Sequence, residues 1–378
     1  MKIEQIETIS LRIPLKKGYG LSQVYGVLEE TTPVVVRIHT DEGIVGLGET
    51  DPMSHFTEET QETVQIIIGR YLESVLLGTD PRNIGEIHMR MEHAVKGNFL
   101  AKAAIDMACY DLLGKADDMP VYRLLGGCLR EKIPLMWSLG DDAPEVNAAE
   151  AAELQSQNYS TFMIKVGGCS LKRDVERVGA IRSTVGDRTT LIVDANQGWD
   201  ADTAIKFAKQ TEKYDIAIFE QPVPYWDIDG LAKVKSRTGM LISADESLFT
   251  LHDAVNLVRH RAVDVFSIKV SKNGGIYPAR EIMSFAAANG IQCLMNSLIE
   301  EGITQSASLQ LGLTAVNLCN CGHAYFSPLR LAADISNYSD NLRQGYVWKN
   351  EAPGLGVELK NDIVEKYSAN NCSDAQKV

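Results

Sequence analysis

Three short apolar runs decide the fold of this chain, and each of them ends in an acid: TLIVD at 190–194, IAIFE at 216–220 and LISAD at 241–245. The acids recur at an interval that has room for one strand and one helix. This interval is typical of parallel strands that alternate with helices. The stretch therefore predicts consecutive βα units whose strands end in carboxylates.

The same rhythm continues on both sides of these runs, from residue 131 to about 330. Further short apolar runs lie at 133–139, 161–166, 265–269, 291–295 and, more weakly, 316–320. Helix-patterned stretches such as 171–185 and 200–214 separate most of them. Eight such strands predict a TIM-type (β/α) barrel of the α/β class. A doubly wound sheet has the same alternation but normally carries a glycine-rich phosphate turn, and Gly167-Gly168 alone is too weak for one.

The first 130 residues follow a different pattern, which predicts an α+β capping domain. Alternating runs at 3–8, 33–40 and 44–49 predict a three-stranded antiparallel sheet. A helical stripe of Val64, Ile67, Ile68 and Tyr71 and an alanine-rich stretch at 98–115 predict helices.

The last part of the chain, 331–378, is turn-rich and then polar. A PGLG turn at 353–356 precedes this polar ending. We expect the segment to pack back on the capping domain and its last residues to fray. The predicted division is therefore 1–130, 131–330 and 331–378.

Composition narrows the classes of partner. The 378 residues carry a net charge of −13, which argues against nucleic acid or an anionic membrane as a partner. The sequence contains no run near the ~20 apolar residues that a membrane span needs. Seven scattered cysteines, without the spacing of a zinc or redox motif, predict reduced thiols and a cytoplasmic protein.

The acids at the strand ends predict a metal site. Asp194, Glu220 and Asp245 would converge at the C-terminal mouth of the barrel, where active sites of this fold lie. Three converging carboxylates repel one another unless a cation lies between them. Oxygen ligands on rigid strands suit Mg²⁺. The alternative is that each acid caps a helix or faces solvent.

Two lysines flank these acids in the chain. Lys165 ends the run before Asp194, and Lys269 ends the run after Asp245. The two amines would lie on opposite sides of a bound carboxylate substrate, so that one removes an α-proton and the other donates one. Mg²⁺ would stabilise the enediolate between these steps.

Several motifs carry a resemblance to a known family. They are AKAAID at 101–106, VYRLLGG at 121–127, DAN at 194–196, EQP at 220–222, DES at 245–247, KVSKNGG at 269–275 and PGLG at 353–356. With the strand-end residues, these motifs resemble the enolase superfamily, in its muconate-lactonizing branch, across nearly the whole chain. The resemblance implies an enolase-like modified barrel and the roles already given to the three acids and two lysines. It also implies a homo-oligomer, as a dimer or an octamer.

One position departs from this branch, which usually has Lys-x-Lys on the second barrel strand. Here Met163 takes the place of the first lysine, on the same face as Lys165. The mandelate-racemase branch has a histidine near the end of the seventh strand. Asn296-Ser297 lies there instead, which sets that branch aside.

Substrate specificity is expected from the capping segments 16–26 and 53–56 and from the last two barrel strands. The candidates, either for contact with the substrate or for support of residues that contact it, are Tyr19, Tyr25, Asn196, Glu246, Asn296, Ser297, Glu300, His323 and Tyr325. Dipeptide epimerases of this branch have an Asp-x-Asp pair on the eighth strand, which the stretch CGHAYFSP at 321–328 lacks. An N-substituted or quaternised amino acid, or an acid without an amine, therefore fits better than a free dipeptide. Tyr325 and Phe326 would face the cation of a quaternised substrate.

These features predict a racemase or epimerase that acts on the α-carbon of a small-molecule carboxylate. Muconate-type cycloisomerisation and loss of water from a β-hydroxy acid are alternatives, because the same two lysines serve all three reactions. A non-catalytic barrel is the remaining alternative, and only Met163 favours it.

Overall fold

The computed structural model describes residues 1–368. Cys372 and the polar ending that we predicted to fray lie outside the described residues. Among the described residues, no helix is both long enough and apolar enough to cross a membrane.

The first part of the chain contains five strands and six helices. The strands are β1 Ile3–Ser10, β2 Ile13–Gly20, β3 Val27–Thr31, β4 Val34–Thr40 and β5 Val45–Thr50. The helices are α1 Ser54–Thr57, α2 Gln61–Ile67, α3 Glu73–Leu76, α4 Ile84–Ala94, α5 Phe99–Ala116 and α6 Val121–Leu124. The predicted antiparallel sheet is present, in the order β1-β4-β5, and β2 and β3 add a second, unpredicted hairpin.

Helix α5 packs directly on β5, and two glycines allow this close approach. A Cβ atom on Gly46 or Gly48 would lie 2.3 Å from the Ala108 carbonyl oxygen or 1.8 Å from that of Ala104. These distances are far below van der Waals contact. The alanine-rich sequence of α5 thus fits against a glycine-containing strand.

The predicted stripe in the first helix is wrong at Tyr71. Residues Ile68–Leu72 form a π-helical turn between α2 and α3. Such a turn bonds residue i to i+5 and rotates the following residues relative to an α-helix. Leu72 is therefore buried, whereas Tyr71 is 48% exposed.

The second part alternates strands and helices. The strands are β6 Lys132–Pro134, β7 Met136–Leu139, β8 Thr161–Lys165, β9 Thr190–Asp194, β10 Ile216–Glu220, β11 Leu241–Ala244, β12 Val265–Ile268 and β13 Gln292–Met295. The helices are α7 Pro144–Ser156, α8 Leu171–Val185, α9 Ala201–Thr211, α10 Ile228–Thr238, α11 Leu251–Arg259, α12 Ile276–Ala288, α13 Gly302–Thr314 and α14 Ser327–Arg330. Strands β7 to β13 form one parallel sheet in sequence order, the curled sheet of a modified barrel.

The predicted first and eighth barrel strands differ from the structure. The run at 133–139 divides at Leu135: β6 pairs antiparallel with residues 346–348 of the tail, and only β7 enters the parallel sheet. The run at 316–320 forms no ladder. Leu318 bridges to Cys293 and His323 bridges to Leu135, so this segment closes the ring at two separate points.

The tail forms β14 Leu342–Arg343, β15 Tyr346–Trp348 and α15 Asn361–Tyr367. It contacts the capping part at several places. The Leu355 N–H donates to Asp111 Oδ1 at 2.8 Å, and Arg37 Nη2 donates to Asn361 Oδ1 at 3.0 Å. We propose the predicted boundaries near 130 and 330 as domain limits, since β6 begins just after the first of them.

Candidate active site

Three adjacent strands carry the predicted acids to one level of the barrel. Asp194 is the last residue of β9 and pairs in register with Glu220, the last residue of β10. Asp245 directly follows β11, the next strand in the sheet. All three acids are at most 1% exposed. The apolar strands thus bring three buried carboxyl groups together.

The two predicted lysines lie on either side of these acids. Lys165 ends β8 in register with Asp194, and its Nζ donates to Asp194 Oδ2 at 2.5 Å and to Asn196 Oδ1 at 3.0 Å. Lys269 follows β12, and its Nζ donates to Asp245 Oδ2 at 2.7 Å. Both lysines line one cavity at the barrel mouth.

A third buried lysine, Lys272, was not singled out from the sequence. Its Nζ donates to Asp245 Oδ1 at 2.7 Å, to the Asp245 carbonyl at 2.6 Å and to the Ser267 carbonyl at 3.1 Å. Burial lowers the pKa of Lys272. The signal that could have revealed it is a second lysine three residues after Lys269, just before a Gly-Gly turn.

The charges of the site leave an excess of negative charge. Burial, together with the charges of Asp194 and Asp245, raises the pKa of Glu220 well above its usual range. Burial and Asp245 raise the pKa of Glu246 to about 8. Four acids and three lysines are buried here, which leaves one negative charge when all are ionised. A neutral lysine base would increase this excess to two.

A divalent cation fits this donor set electrostatically. It would balance the excess charge and relieve the repulsion that raises the Glu220 pKa. The buried oxygen Glu246 Oε2 has no hydrogen-bond partner, and Glu246 directly follows Asp245 in the chain. Such an atom is expected where a cation or its bound water lies. The residues present therefore suit Mg²⁺, which Asp194, Glu220 and Asp245 would hold.

In the described geometry, amines hold the outer two acids. The three acids do not have ligand atoms that all lie within 4.8 Å of one another. Lys165 bonds to Asp194, and Lys269 and Lys272 bond to Asp245. A shared ion would have to replace an amine at each of these two carboxylates.

Among residues 1–368, one other group has ligand atoms that all lie within 4.8 Å of one another. It consists of Asp141, Cys169 and Asp174. Arg177 Nη1 lies 3.1 Å from Asp141 Oδ1 and from Asp174 Oδ1, so the two carboxylates are already paired with a buried cation. This second cluster is therefore a partly buried ion-pair network and not a site that needs a metal.

The capping domain covers the cavity with the predicted tyrosines. Tyr19 Oη and Ser138 Oγ are 2.5 Å apart. Tyr25 Oη donates to Glu246 Oε1 at 3.1 Å, and Asn196 Nδ2 donates to the same oxygen at 3.2 Å. The free volume is ≈ 40 Å³, about the space of one water molecule.

Asn296 and Ser297 line the cavity, whereas Glu300 does not. Asn296 Nδ2 donates to Glu220 Oε1 at 2.8 Å, and Ser297 Oγ donates to Glu300 Oε2 at 2.5 Å. Glu300 also accepts from Ser271 Oγ at 2.7 Å. Glu300 thus fixes the loop that presents Ser297.

His323 and Tyr325, predicted either to contact the substrate or to support residues that do, do not line the cavity. His323 Nδ1 accepts from the Met295 N–H at 3.0 Å and its Nε2 lies 3.3 Å from the Cys319 carbonyl, so both ring nitrogens are used inside the protein. Burial lowers its pKa to about 4. Tyr325 Oη donates to the Ser308 carbonyl at 3.1 Å. Side chains in this extended segment alternate in direction, so Ala324 and Phe326 line the cavity instead.

Two family models match the chain. The profile described as "Mandelate racemase / muconate lactonizing enzyme, N-terminal domain" matches residues 13–126, and "Enolase C-terminal domain-like" matches residues 147–363. The chain belongs to the enolase superfamily, in its muconate-lactonizing branch. Its resemblance to this branch, first drawn from short motifs, is thereby confirmed.

Individual relatives cover nearly all of the chain. The N-succinyl-L-Arg/Lys racemase of Bacillus cereus is 34% identical over 374 residues, 97% of this chain and 98% of the relative. Its crystal structure, 33% identical, covers 98% of both chains with a TM-score of 0.93. Chloromuconate cycloisomerase from Cupriavidus necator is 33% identical over 372 residues, 97% of this chain and 99% of the relative.

A third relative is the hydrophobic dipeptide epimerase of Enterococcus faecalis. It is 38% identical over 316 residues, 82% of this chain and 87% of the relative. A solved structure of the dipeptide epimerase from this organism, complexed with Mg and L-Leu-L-Tyr, covers 95% of this chain and 100% of that chain. It is 34% identical, with a TM-score of 0.89. These relatives are all isomerases, and the family member described here is an isomerase of the enolase superfamily. The non-catalytic alternative is therefore set aside.

Proposed function

We propose that this isomerase is a Mg²⁺-dependent racemase or epimerase that removes and returns the α-proton of a carboxylate substrate. The observation that carries the proposal is the pair of amines, Lys165 and Lys269, which line one cavity on opposite flanks of three buried acids. A base on each face of an α-carbon is what inversion by proton transfer requires.

Each lysine must be neutral to accept a proton and charged to donate one. Burial lowers the pKa of Lys165, but Asp194, Tyr19 and Glu220 together outweigh this effect and raise it. Burial likewise lowers the pKa of Lys269, and Asp245, Glu246 and Glu220 together raise it. A neutral base therefore requires that these carboxylates be engaged elsewhere, as they would be if they held a cation. When bound, Mg²⁺ would also stabilise the negative charge that develops on the substrate carboxylate.

The substrate we propose is an amino-acid derivative with a substituted nitrogen. Two of the relatives act on amino-acid derivatives by name, an N-succinyl amino acid in one case and a dipeptide in the other. No acidic side chain lines the described cavity, so a free ammonium group has no partner there. A neutral amide nitrogen avoids the cost of an unpaired buried charge.

Cycloisomerisation of a muconate is a second candidate, favoured by the likeness to chloromuconate cycloisomerase over 97% of the chain. It would use the same lysines and acids. A muconate carries two carboxylates, and the described cavity offers no cation besides Lys165 and Lys269 for the second one. The racemase is therefore the first choice.

We further propose a homo-oligomer, either a dimer or an octamer, in a cytoplasmic setting that keeps the thiols reduced. The six described cysteines are all free. Light scattering coupled to size-exclusion chromatography would give the number of subunits. A monomer at micromolar concentration would contradict the first part of this proposal.

The direct test is isotope exchange. The protein is incubated with Mg²⁺ in D₂O with single enantiomers of N-acyl amino acids and with cis,cis-muconate, and α-deuterium and optical rotation are followed. Deuterium uptake with inversion supports the racemase. Lactone formation from muconate without exchange of the amino acids would support the cycloisomerase, and no reaction with any carboxylate would contradict both.

A further inference from the structure

The floor of the active-site cavity is continuous with the apolar interior of the barrel. Met136, Met163, Ala324 and Phe326 line the cavity and also belong to the hydrophobic cluster inside the barrel. Each of them is at most 4% exposed. Methionine side chains are flexible and adapt to apolar groups of different shapes. A substrate group that points toward this floor meets carbon and sulfur.

One cavity wall contains a residue in an unfavourable backbone conformation. Ile299 has a φ of 71°, in the left-handed region, and lines the cavity at 7% exposure. Glycine or asparagine adopts this region at low cost, whereas a β-branched residue is a true outlier there. Strained residues of this kind gather at ligand sites. The Ser297 hydroxyl holds the turn by accepting from the Ile299 N–H at 2.8 Å.

The charged residues that line the cavity, among residues 1–368, are Lys165 and Lys269. Both already face the acids of the proposed metal site. Two further cations lie outside the lining: Lys272 is bonded to Asp245, and Arg330 lies over the rings of Tyr19 and Phe326. A second charge on the substrate, of either sign, therefore has no partner inside the cavity.

We propose that the site selects carboxylates that carry an uncharged, apolar substituent on the α-carbon, and that Ile299 is a residue that determines this specificity. The inference rests on the proposed racemase function and deepens it. The apolar side chain of the substrate packs against Ile299 and the methionine floor. A charged side chain of the same size loses its hydration there and gains no ion pair.

The test uses nearly isosteric substrate pairs that differ mainly in charge. N-acetyl-L-leucine is compared with N-acetyl-L-aspartate, and N-acetyl-L-norleucine with N-acetyl-L-lysine, in kcat/KM for α-deuterium exchange and in Kd by equilibrium dialysis with Mg²⁺. The apolar member of each pair is expected to be favoured at least about 100-fold, because a charge is buried unpaired in the other. Equal Kd values within a pair would overturn the inference.

Two variants test Ile299 itself. Ile299→Gly removes the apolar wall but suits the backbone, so its Tm is expected not to fall while the preference for leucine over aspartate falls at least about 10-fold. Ile299→Asp also tolerates the left-handed conformation. It places a carboxylate in the wall and is expected to raise the rate with N-acetyl-L-lysine relative to norleucine.

A matched control is Gln344→Gly, at an exposed position whose φ is 54°. This substitution relieves the same kind of backbone strain, and it is expected to leave the substrate preferences unchanged. Unaltered preferences in both Ile299 variants would overturn the role of this residue. If no substrate exchanges but the Kd preference persists, the proposed racemase function fails while the selectivity of the cavity stands.

Discussion

The two flanks of the active site hold the same kind of base in different surroundings. Lys165 has Asp194 and Asn196 as polar partners and Met163 beside it on the barrel floor. Lys269 shares Asp245 with a second amine, Lys272. Its Nζ also lies 4.2 Å from the centre of the Phe56 ring.

This difference shows that the two bases are tuned by different means. A neighbouring amine disfavours the charged form of Lys269, whereas an aromatic ring favours it. Lys165 has no second amine beside it, because Met163 replaces the lysine usual in this branch. Among residues 1–368, no aromatic ring contacts its ammonium group either. Burial lowers the pKa of Lys165, and Asp194 is the carboxylate that raises it most. Engagement of Asp194 by a cation is therefore expected to lower the pKa of Lys165.

The largest effect is expected from removing one base at a time. Lys165→Ala and Lys269→Ala should each lower racemisation about 10³-fold or more, since a base and an acid are both lost from the cycle. Each variant should still exchange the α-proton of one enantiomer, and the two variants should retain opposite enantiomers. Mass spectrometry of separate D and L substrates in D₂O gives the result.

The exposed Lys172→Ala serves as the control for charge removal, because its side chain is 86% exposed. Loss of exchange with both enantiomers in both variants would show that the lysines do not act on separate faces. Full activity in either variant would remove that lysine from the mechanism.

Glu220 lies between the two lysines. Its replacement should lower turnover of both enantiomers equally. Glu220→Gln removes one of the three charges that would hold the cation, and we expect a loss of about 100-fold in turnover with either enantiomer. Calorimetric titration should show weaker Mg²⁺ binding in parallel. A loss confined to one enantiomer would contradict a shared, central role for this carboxylate.

A second amine beside Lys165 should make the two flanks more alike. In Met163→Lys the added charge disfavours protonated Lys165 and lowers its pKa. The acidic limb of the pH–rate profile, for the enantiomer that Lys165 deprotonates, should therefore move about one unit toward lower pH. The limb of the opposite enantiomer provides the internal control. A shift toward higher pH would contradict this account of the flank.

The smallest effect is expected at the aromatic ring of the other flank. Phe56→Leu removes the contact that stabilises charged Lys269, so its pKa should fall by about half a unit. The pH–rate profile of the corresponding enantiomer measures this shift. Tyr19→Phe, on the Lys165 side of the cavity, should leave that limb in place. An unchanged profile in Phe56→Leu would show that the ring only packs.

The sequence was sufficient for the strand-end residues because buried parallel strands are apolar until they reach the barrel mouth. Such a strand ends at each of Lys165, Asp194 and Glu220. Their spacing in the sequence is therefore enough to predict that they converge. Lys272 was overlooked because it lies in a turn, where no strand period assigns a direction to a side chain.

Other differences between prediction and structure arose where hydrogen bonds, and not the apolar pattern of the sequence, determine the direction of a side chain. The π-helical turn moved burial from Tyr71 to Leu72, which a 3.6-residue period does not foresee. His323 lies close to the site in sequence but bonds to the Met295 N–H and the Cys319 carbonyl. These backbone partners come from tertiary pairing of the ring-closing segment, which local sequence does not reveal.

The central claim is that one divalent cation binds Asp194, Glu220 and Asp245 with an amine on either side. Anomalous diffraction from crystals soaked in Mn²⁺, as a stand-in for Mg²⁺, tests it most directly. The account predicts one ion bonded to an oxygen of each carboxylate, with Lys165 and Lys269 facing each other across the adjoining cavity. An ion bound only at Asp141 and Asp174, or no ion at the barrel mouth at saturating Mn²⁺, would contradict it.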